Sequence, residues 1–171
     1  MKHQQYSIHL RAMEPEDLDL LYRIENDIEL WGVSATNVPY SRYALHDYIA
    51  NATGNIYTDL QVRLMVEDLD GNVVGIIDLV DFDAKNNRAE IGLVIEREYR
   101  RKGYAASVLT AIADYALEVL HLHQLYAYIS VDNKPTLQLF RKMGYVESAC
   151  VRDWLFDGRA YHDAVLMQIV L

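Results

Sequence analysis

A basic loop and a lone carboxylate carry the chemistry that can be read from this chain. Between an apolar run, Ile91 to Ile95, and a helical pattern that reaches Leu117 lies Arg100-Arg101-Lys102-Gly103-Tyr104-Ala105. The adjacent cations Arg100, Arg101 and Lys102 attract anions, and the small residues Gly103 and Ala105 let a ligand approach the backbone closely. Amides at the start of the following helix lack intrahelical acceptors and sit at the positive end of its dipole. A strand, a basic loop with a glycine and a helix N-terminus together make a phosphate-binding device. The spacing matches neither G-x-x-x-x-G-K-[ST] nor G-x-G-x-x-G. A solvated basic helix start is the other reading of the same residues. The carboxylate is Glu90, placed beside the apolar run, where burial would raise its pKa toward the range of a general base. An ion pair with Arg88 would give it a structural role instead.

These residues need a frame to hold them. Ile91 to Ile95 suits a buried strand, and Val108, Leu109, Ile112, Ala113, Ala116 and Leu117 recur at helical spacing behind the loop. Tyr6 to Met13 alternates as a first strand, and Pro15 opens a helix marked by Leu18, Leu21, Tyr22, Glu25 and Ile28. From Glu29 to Tyr40 periodicity is lost. Ser41 caps a second helix through about Thr53. Gln61 to Glu67 and Val73 to Val80 form a hairpin around Asp70-Gly71-Asn72, and Lys85-Asn86-Asn87 turns the chain into the Ile91 strand. After the long helix, Leu125 to Val131 is a strand. Pro135 opens a short helix that Gly144 ends, and Tyr145 to Arg152 pairs with Ala160 to Val170 around Asp157-Gly158.

Composition bounds the function. The 171 residues are 51% apolar, which suits one globular domain spanning residues 1–171 with a real core. A net charge of −9 argues against nucleic acid as the main partner and is compatible with a cationic one. Cys150 is the only cysteine, so no internal disulfide forms. His121 and His123 have no Cys or acid cluster beside them, and no metal is expected. The Met1 end has no apolar signal-like run and no stretch reaches membrane-spanning length, so the expectation is a cytoplasmic protein without a membrane partner.

Arg100-x-x-Gly103-x-Ala105 resembles the R/Q-x-x-G-x-G/A signature of the GNAT N-acetyltransferase superfamily. Asn133-Lys134-Pro135-Thr136-Leu137-Gln138-Leu139-Phe140-Arg141-Lys142-Met143-Gly144-Tyr145 resembles its N-x-x-[AS]-x-x-[LF]-[YF]-x-K-x-G-[FY] motif. The element order fits as well, over nearly the whole chain. Arg88-Ala89-Glu90 and Asp157-Gly158-x-x-Tyr161-x-Asp163 look similar to the bacterial spermidine and ribosomal-protein N-terminal acetyltransferase branches.

The resemblance implies a mixed α/β fold: a central, mostly antiparallel sheet of six to seven strands with about four helices, splayed between the fourth and fifth strands. It implies an acetyl-CoA-dependent N-acetyltransferase acting on a primary amine, and a homo-oligomer. The acceptor it favours is a small amine or polyamine. A protein N-terminus or an antibiotic amine is the alternative, and a non-catalytic acyl-CoA-binding domain is the reading from another class. The backbone of Leu93, Val94 and Ile95 would meet the pantetheine, with Arg100, Arg101, Lys102, Gly103, Tyr104 and Ala105 on the pyrophosphate, and Asn133, Thr136 and Phe140 along the arm. Glu90 would be the base, and Glu29, Trp31, Tyr40 and Tyr161 would line the acceptor pocket. Glu25 and Asp27 add to the acidic edge on which Glu29 lies. The chain departs from the pattern twice. Phe140 stands where many relatives carry a tyrosine acid, and Asn37-Val38 replaces the acidic pair of the spermidine branch before Pro39-Tyr40.

Overall fold

The computed structural model describes residues 7–30 and 38–171. The strands are β1 (His9–Arg11), β2 (Val62–Glu67), β3 (Val73–Asp83), β4 (Arg88–Ile95), β5 (Gln124–Ser130), β6 (Val146–Phe156) and β7 (Tyr161–Val170). They form one sheet in the order β1-β2-β3-β4-β5-β7-β6. Every pairing is antiparallel except β4 with β5. The helices among the described residues are α1 (Leu18–Glu25), α2 (Arg42–Asn51), α3 (Ile56–Asp59), α4 (Tyr104–Glu118) and α5 (Lys134–Lys142).

Strand alternation sends successive side chains to opposite faces, and each face has its own core. Val66, Ile77, Leu79, Ile91, Leu125, Ile129 and Met167 point to one side. There Leu109, Ile112 and Ala116 of α4 and Leu137 and Phe140 of α5 pack on them. On the other side Met65 and Ile76 meet Leu21 and Ile24 of α1 and Leu45 of α2, with Val94 at the border. This second cover lies over β2 and β3, and among the described residues neither α1 nor α2 has a residue packed on β5, β6 or β7 in that cluster.

Local chemistry fixes the helix starts. The Ser41 hydroxyl accepts from the Ala44 amide at 3.0 Å, and Asn133 Oδ1 accepts from the Thr136 amide at 3.3 Å. Arg11 clamps β1: its guanidinium donates twice to the buried Asp17 carboxylate, at 2.7 and 2.8 Å, and also to Glu67 on β2. Burial pushes the Asp17 pKa up, but the Arg11 and Glu14 hydrogen bonds outweigh it and hold the carboxyl below its ordinary value.

The structure differs from the sequence expectation in its irregular places. Helix α2 stops at Asn51, and α3 follows, a single turn capped by Asn55 Oδ1, which accepts from the Tyr57 amide at 2.9 Å. A four-residue helix is too short to show a period. Strand β3 runs on past Val80 to Asp83, and β6 runs on past Arg152 to Phe156, each through a register shift. A bulge breaks the alternation by which a strand is recognised.

Candidate active site

The sheet opens in its middle. β4 pairs with β3 from Glu90 opposite Val80 to Ile95 opposite Gly75. Its parallel pairing with β5 covers only Arg88–Gln124, Ala89–Leu125 and Glu90–Tyr126. Beyond Glu90 the strands part, so β4 from Ile91 to Ile95 has no strand partner on that side. Leu93, Val94 and Ile95 form this edge, and a backbone edge of that kind pairs with an extended amide-bearing ligand. Gly75 shapes it from behind. A Cβ there would stand 2.3 Å from the Val94 carbonyl oxygen and 3.1 Å from Ile95 Cα. A glycine inside a strand signals such close backbone approach, which is how the sequence marks this position.

The basic loop follows the open edge directly. A 3-10 turn, Arg97–Tyr99, leads into it, and Arg101 and Gly103 both take positive φ, 61° and 89°. Gly103 precedes the 15-residue α4 and offers no side chain to cap its amides. Arg100 Nε donates to the Ile95 carbonyl at 2.8 Å and ties the loop to the strand end. Arg101, Lys102 and Gly103 are exposed, and Lys102 Nζ lies 5.3 Å from the centre of the Tyr99 ring. Tyr104 stands edge-on to Tyr99, and Ala105 packs on the α4-side core. Cations, a left-handed glycine and an uncapped long-helix terminus fit a diphosphate.

Glu90 sits at the vertex of the opening. Its carboxylate accepts a hydrogen bond from the Tyr128 backbone amide, on the strand that leaves β4 at this level. Burial, and then the charge of Asp81, push the Glu90 pKa up, and the Tyr128 amide only partly offsets them. Arg88 does not neutralise it, because Arg88 pairs with Asp83 at 3.1 Å. The neighbouring Tyr126 hydroxyl is pushed up to about 12, by burial first and then by the charges of Glu90 and Asp81.

Along α5, Asn133 is engaged as the helix cap and Thr136 is half-buried. Phe140 is 3% exposed and its ring stands edge-on to Tyr145, centroids 4.7 Å apart. Tyr145 Oη is buried with no hydrogen-bond partner among the described residues.

The residues expected around the acceptor are scattered. A cleft of about 400 Å³ lies between α1 and the end of β4, lined by Tyr22, Asn26, Leu30, Val94 and Arg97 among others. Tyr40 borders α1 through backbone hydrogen bonds with the Asn26 side chain, at 2.8 and 3.1 Å. Trp31 lies outside the described residues. Tyr161 is 64% exposed and stacks on Phe156, away at the β6–β7 turn. The acidic edge is occupied internally: Glu29 pairs with Arg97, Glu25 with Arg63, and Asp27 accepts from the Glu29 amide. No group of His, Cys, Asp or Glu among the described residues is arranged to hold a metal ion. Asp81 and Trp154, which the sequence reading passed over, stand near Glu90 and Tyr128. Both lie in bulges, so no periodic signal marks them.

The chain is similar to known proteins in sequence and fold. The chain is 27% identical over 162 residues to the spermidine N(1)-acetyltransferase of Vibrio cholerae serotype O1, covering 94% of this chain and 91% of that protein. The crystal structure of the V. cholerae spermidine N-acetyltransferase in complex with CoA and spermine superposes with a TM-score of 0.85 at 26% identity, over 95% of each chain. A dodecameric structure of that enzyme matches with a TM-score of 0.79, at 26% identity, over 95% of this chain and 93% of the other. The family model described as Acetyltransferase (GNAT) domain matches residues 7–146, and the chain therefore belongs to the GNAT acetyltransferases.

Proposed function

We propose that this protein transfers the acetyl group of acetyl-CoA to a primary amine on a small cationic molecule, a polyamine such as spermidine, with Glu90 as general base. The observation that carries the reading is Glu90 itself, half-buried at the vertex of the opening with its pKa raised and no cation paired to it among the described residues. A spermidine-acetylating relative and the net charge of −9 support the acceptor class. Acetyl-CoA supplies an activated thioester. The basic loop and the N-terminus of α4 hold its diphosphate, and the free edge of β4 holds its arm.

An alkylammonium has a pKa near ~10.4, so the nitrogen needs a proton acceptor before it can attack. Glu90 takes that proton as the N–C bond forms and the C–S bond breaks. Backbone amides on the open edge of β4 stabilise the charge that develops on the carbonyl oxygen. Phe140 has no proton to give. A thiol of pKa around ~8.5 leaves as thiolate near neutral pH and takes its proton from water. A cytoplasmic site of action goes with this reading. So does a homo-oligomer, supported by the dodecameric relative and by an exposed edge strand, β6.

Thiol release from acetyl-CoA, measured with wild type and Glu90→Gln, tests the mechanism. Gln keeps the shape and the acceptor for the Tyr128 amide. The expected loss is on the order of 10²–10⁴ in kcat with acetyl-CoA affinity unchanged. A normal rate in the variant removes Glu90 from the mechanism.

A further inference from the structure

The α1-side face of the sheet around Glu90 carries an acidic and aromatic wall that two bulges build. In β3, Leu79 and Phe82 both belong to the α4-side core, so the alternation slips by one between them. Val80, which pairs with Glu90, and Asp81 both fall on the Glu90 side. Asp81 holds φ 49° to do so. In β6, Val151 pairs with Ala164 but Leu155 with His162, so the bulged strand spends extra residues there. Asp153 takes φ 47°, and its amide donates to Asp163 Oδ1 at 3.0 Å, which fixes the bulge. The next residue, Trp154, lies against Tyr128, ring centroids 5.1 Å apart and tilted by 35°. Tyr128 in turn meets Tyr126 edge-on at 5.9 Å, and Tyr126 is the register partner of Glu90. A continuous row thus runs from Asp81 through Glu90 and Tyr126 to Tyr128 and Trp154. Trp154 remains 52% exposed, which leaves ring surface for a ligand.

Resting on the acetyl-transfer reading of Glu90, we propose that Tyr128 and Trp154 form the wall that holds the acceptor's carbon chain and its distal ammonium, and that Trp154 is a specificity-determining residue. The methylenes of an aliphatic diamine or polyamine lie on ring faces, and a distal ammonium gains cation–π attraction there. Asp81 adds negative potential beside the reacting end. On the acidic edge beside α1, Glu25 and Glu29 are already paired with Arg63 and Arg97. The chain therefore binds its acceptor along the sheet rather than against α1.

The test is calorimetric titration of spermidine and of hexylamine, which lacks the distal charge, into the CoA-saturated protein. Wild type, Trp154→Ala and Trp154→Phe are compared, with sedimentation velocity on each. Spermidine affinity falls at least tenfold in Trp154→Ala and stays within about threefold in Trp154→Phe, and hexylamine binds more weakly than spermidine to wild type and Trp154→Phe but not to Trp154→Ala. Equal spermidine affinity in wild type and Trp154→Ala overturns the proposal, as does no spermidine binding to wild type. Loss of affinity together with a changed oligomeric state also overturns it, because Trp154 is then a contact between copies. Thiol release is scored separately: Trp154-dependent binding without thiol release keeps the wall and removes the acetyl-transfer reading.

Discussion

At the scale of single residues, the proposed role of Glu90 as base would join stability to activity through one proton. Its folded pKa lies above its unfolded one, so the folded chain binds the proton more tightly. Its contribution to stability is greatest below the unfolded value and is lost as pH rises through the folded value. Activity runs the other way, because only the carboxylate accepts a proton. Glu90→Gln should therefore raise the melting temperature at pH 8, with the gain over wild type shrinking toward acid pH, and the acid limb of the kcat profile should disappear. Melting curves and rates on one pH series check both. Tyr145 offers a different residue-scale prediction. Burial pushes its pKa far above the ordinary value, and its hydroxyl has no partner among the described residues. Tyr145→Phe keeps the ring on Phe140 and removes the unsatisfied group, so urea denaturation should show a gain of about 1 kcal/mol.

At the scale of elements, the open edge of β4 depends on how closely β3 approaches it. Of the three atoms crowding a Cβ at Gly75, two are backbone, the Val94 oxygen and Ile95 Cα, which do not yield without moving the strand; the third is Ile95 Cδ1. Gly75→Ala should cost about 1–3 kcal/mol, as overpacking does. It should also weaken acetyl-CoA binding, because the displaced stretch is the edge proposed to receive the arm. Gly92→Ala, on the neighbouring strand β4, is the control. Its nearest neighbour is Asp78 Cβ at an ordinary 3.5 Å, and binding should hold. Equal acetyl-CoA affinity in wild type and Gly75→Ala, read by calorimetry, would separate the edge from cofactor binding.

At the scale of the whole molecule, the sheet ends in strands of unlike length. β1 is three residues long, whereas β6 is an edge of eleven with Val146 and Phe156 exposed. Long edges with apolar side chains invite pairing. Sedimentation velocity at micromolar concentration should give a mass that is a multiple of the 19.7 kDa chain. Val146→Lys should shift that distribution toward smaller species, and a monomeric wild type would contradict the expectation.

The sequence by itself determined the order of the long elements and marked the loop proposed to hold a diphosphate. Period and caps are local properties: Val108, Leu109, Ile112 and Ala116 mark α4 wherever it packs, and Gly103 before it marks a helix start open to an anion. The element order, with the Arg100 and Asn133 motifs on it, carried the family and hence the mixed sheet. Tertiary structure decided what depends on residues far apart in the chain. That Arg88 goes to Asp83 and leaves Glu90 with the Tyr128 amide follows from where β4 and β5 part. Glu25 and Glu29 looked available in sequence and are paired with Arg63 and Arg97, from β2 and the turn after β4. Asp81 and Trp154 were hidden because their bulges interrupt the very alternation that makes a strand legible, and only the register of β3 on β4 and of β6 on β7 brings them to the site.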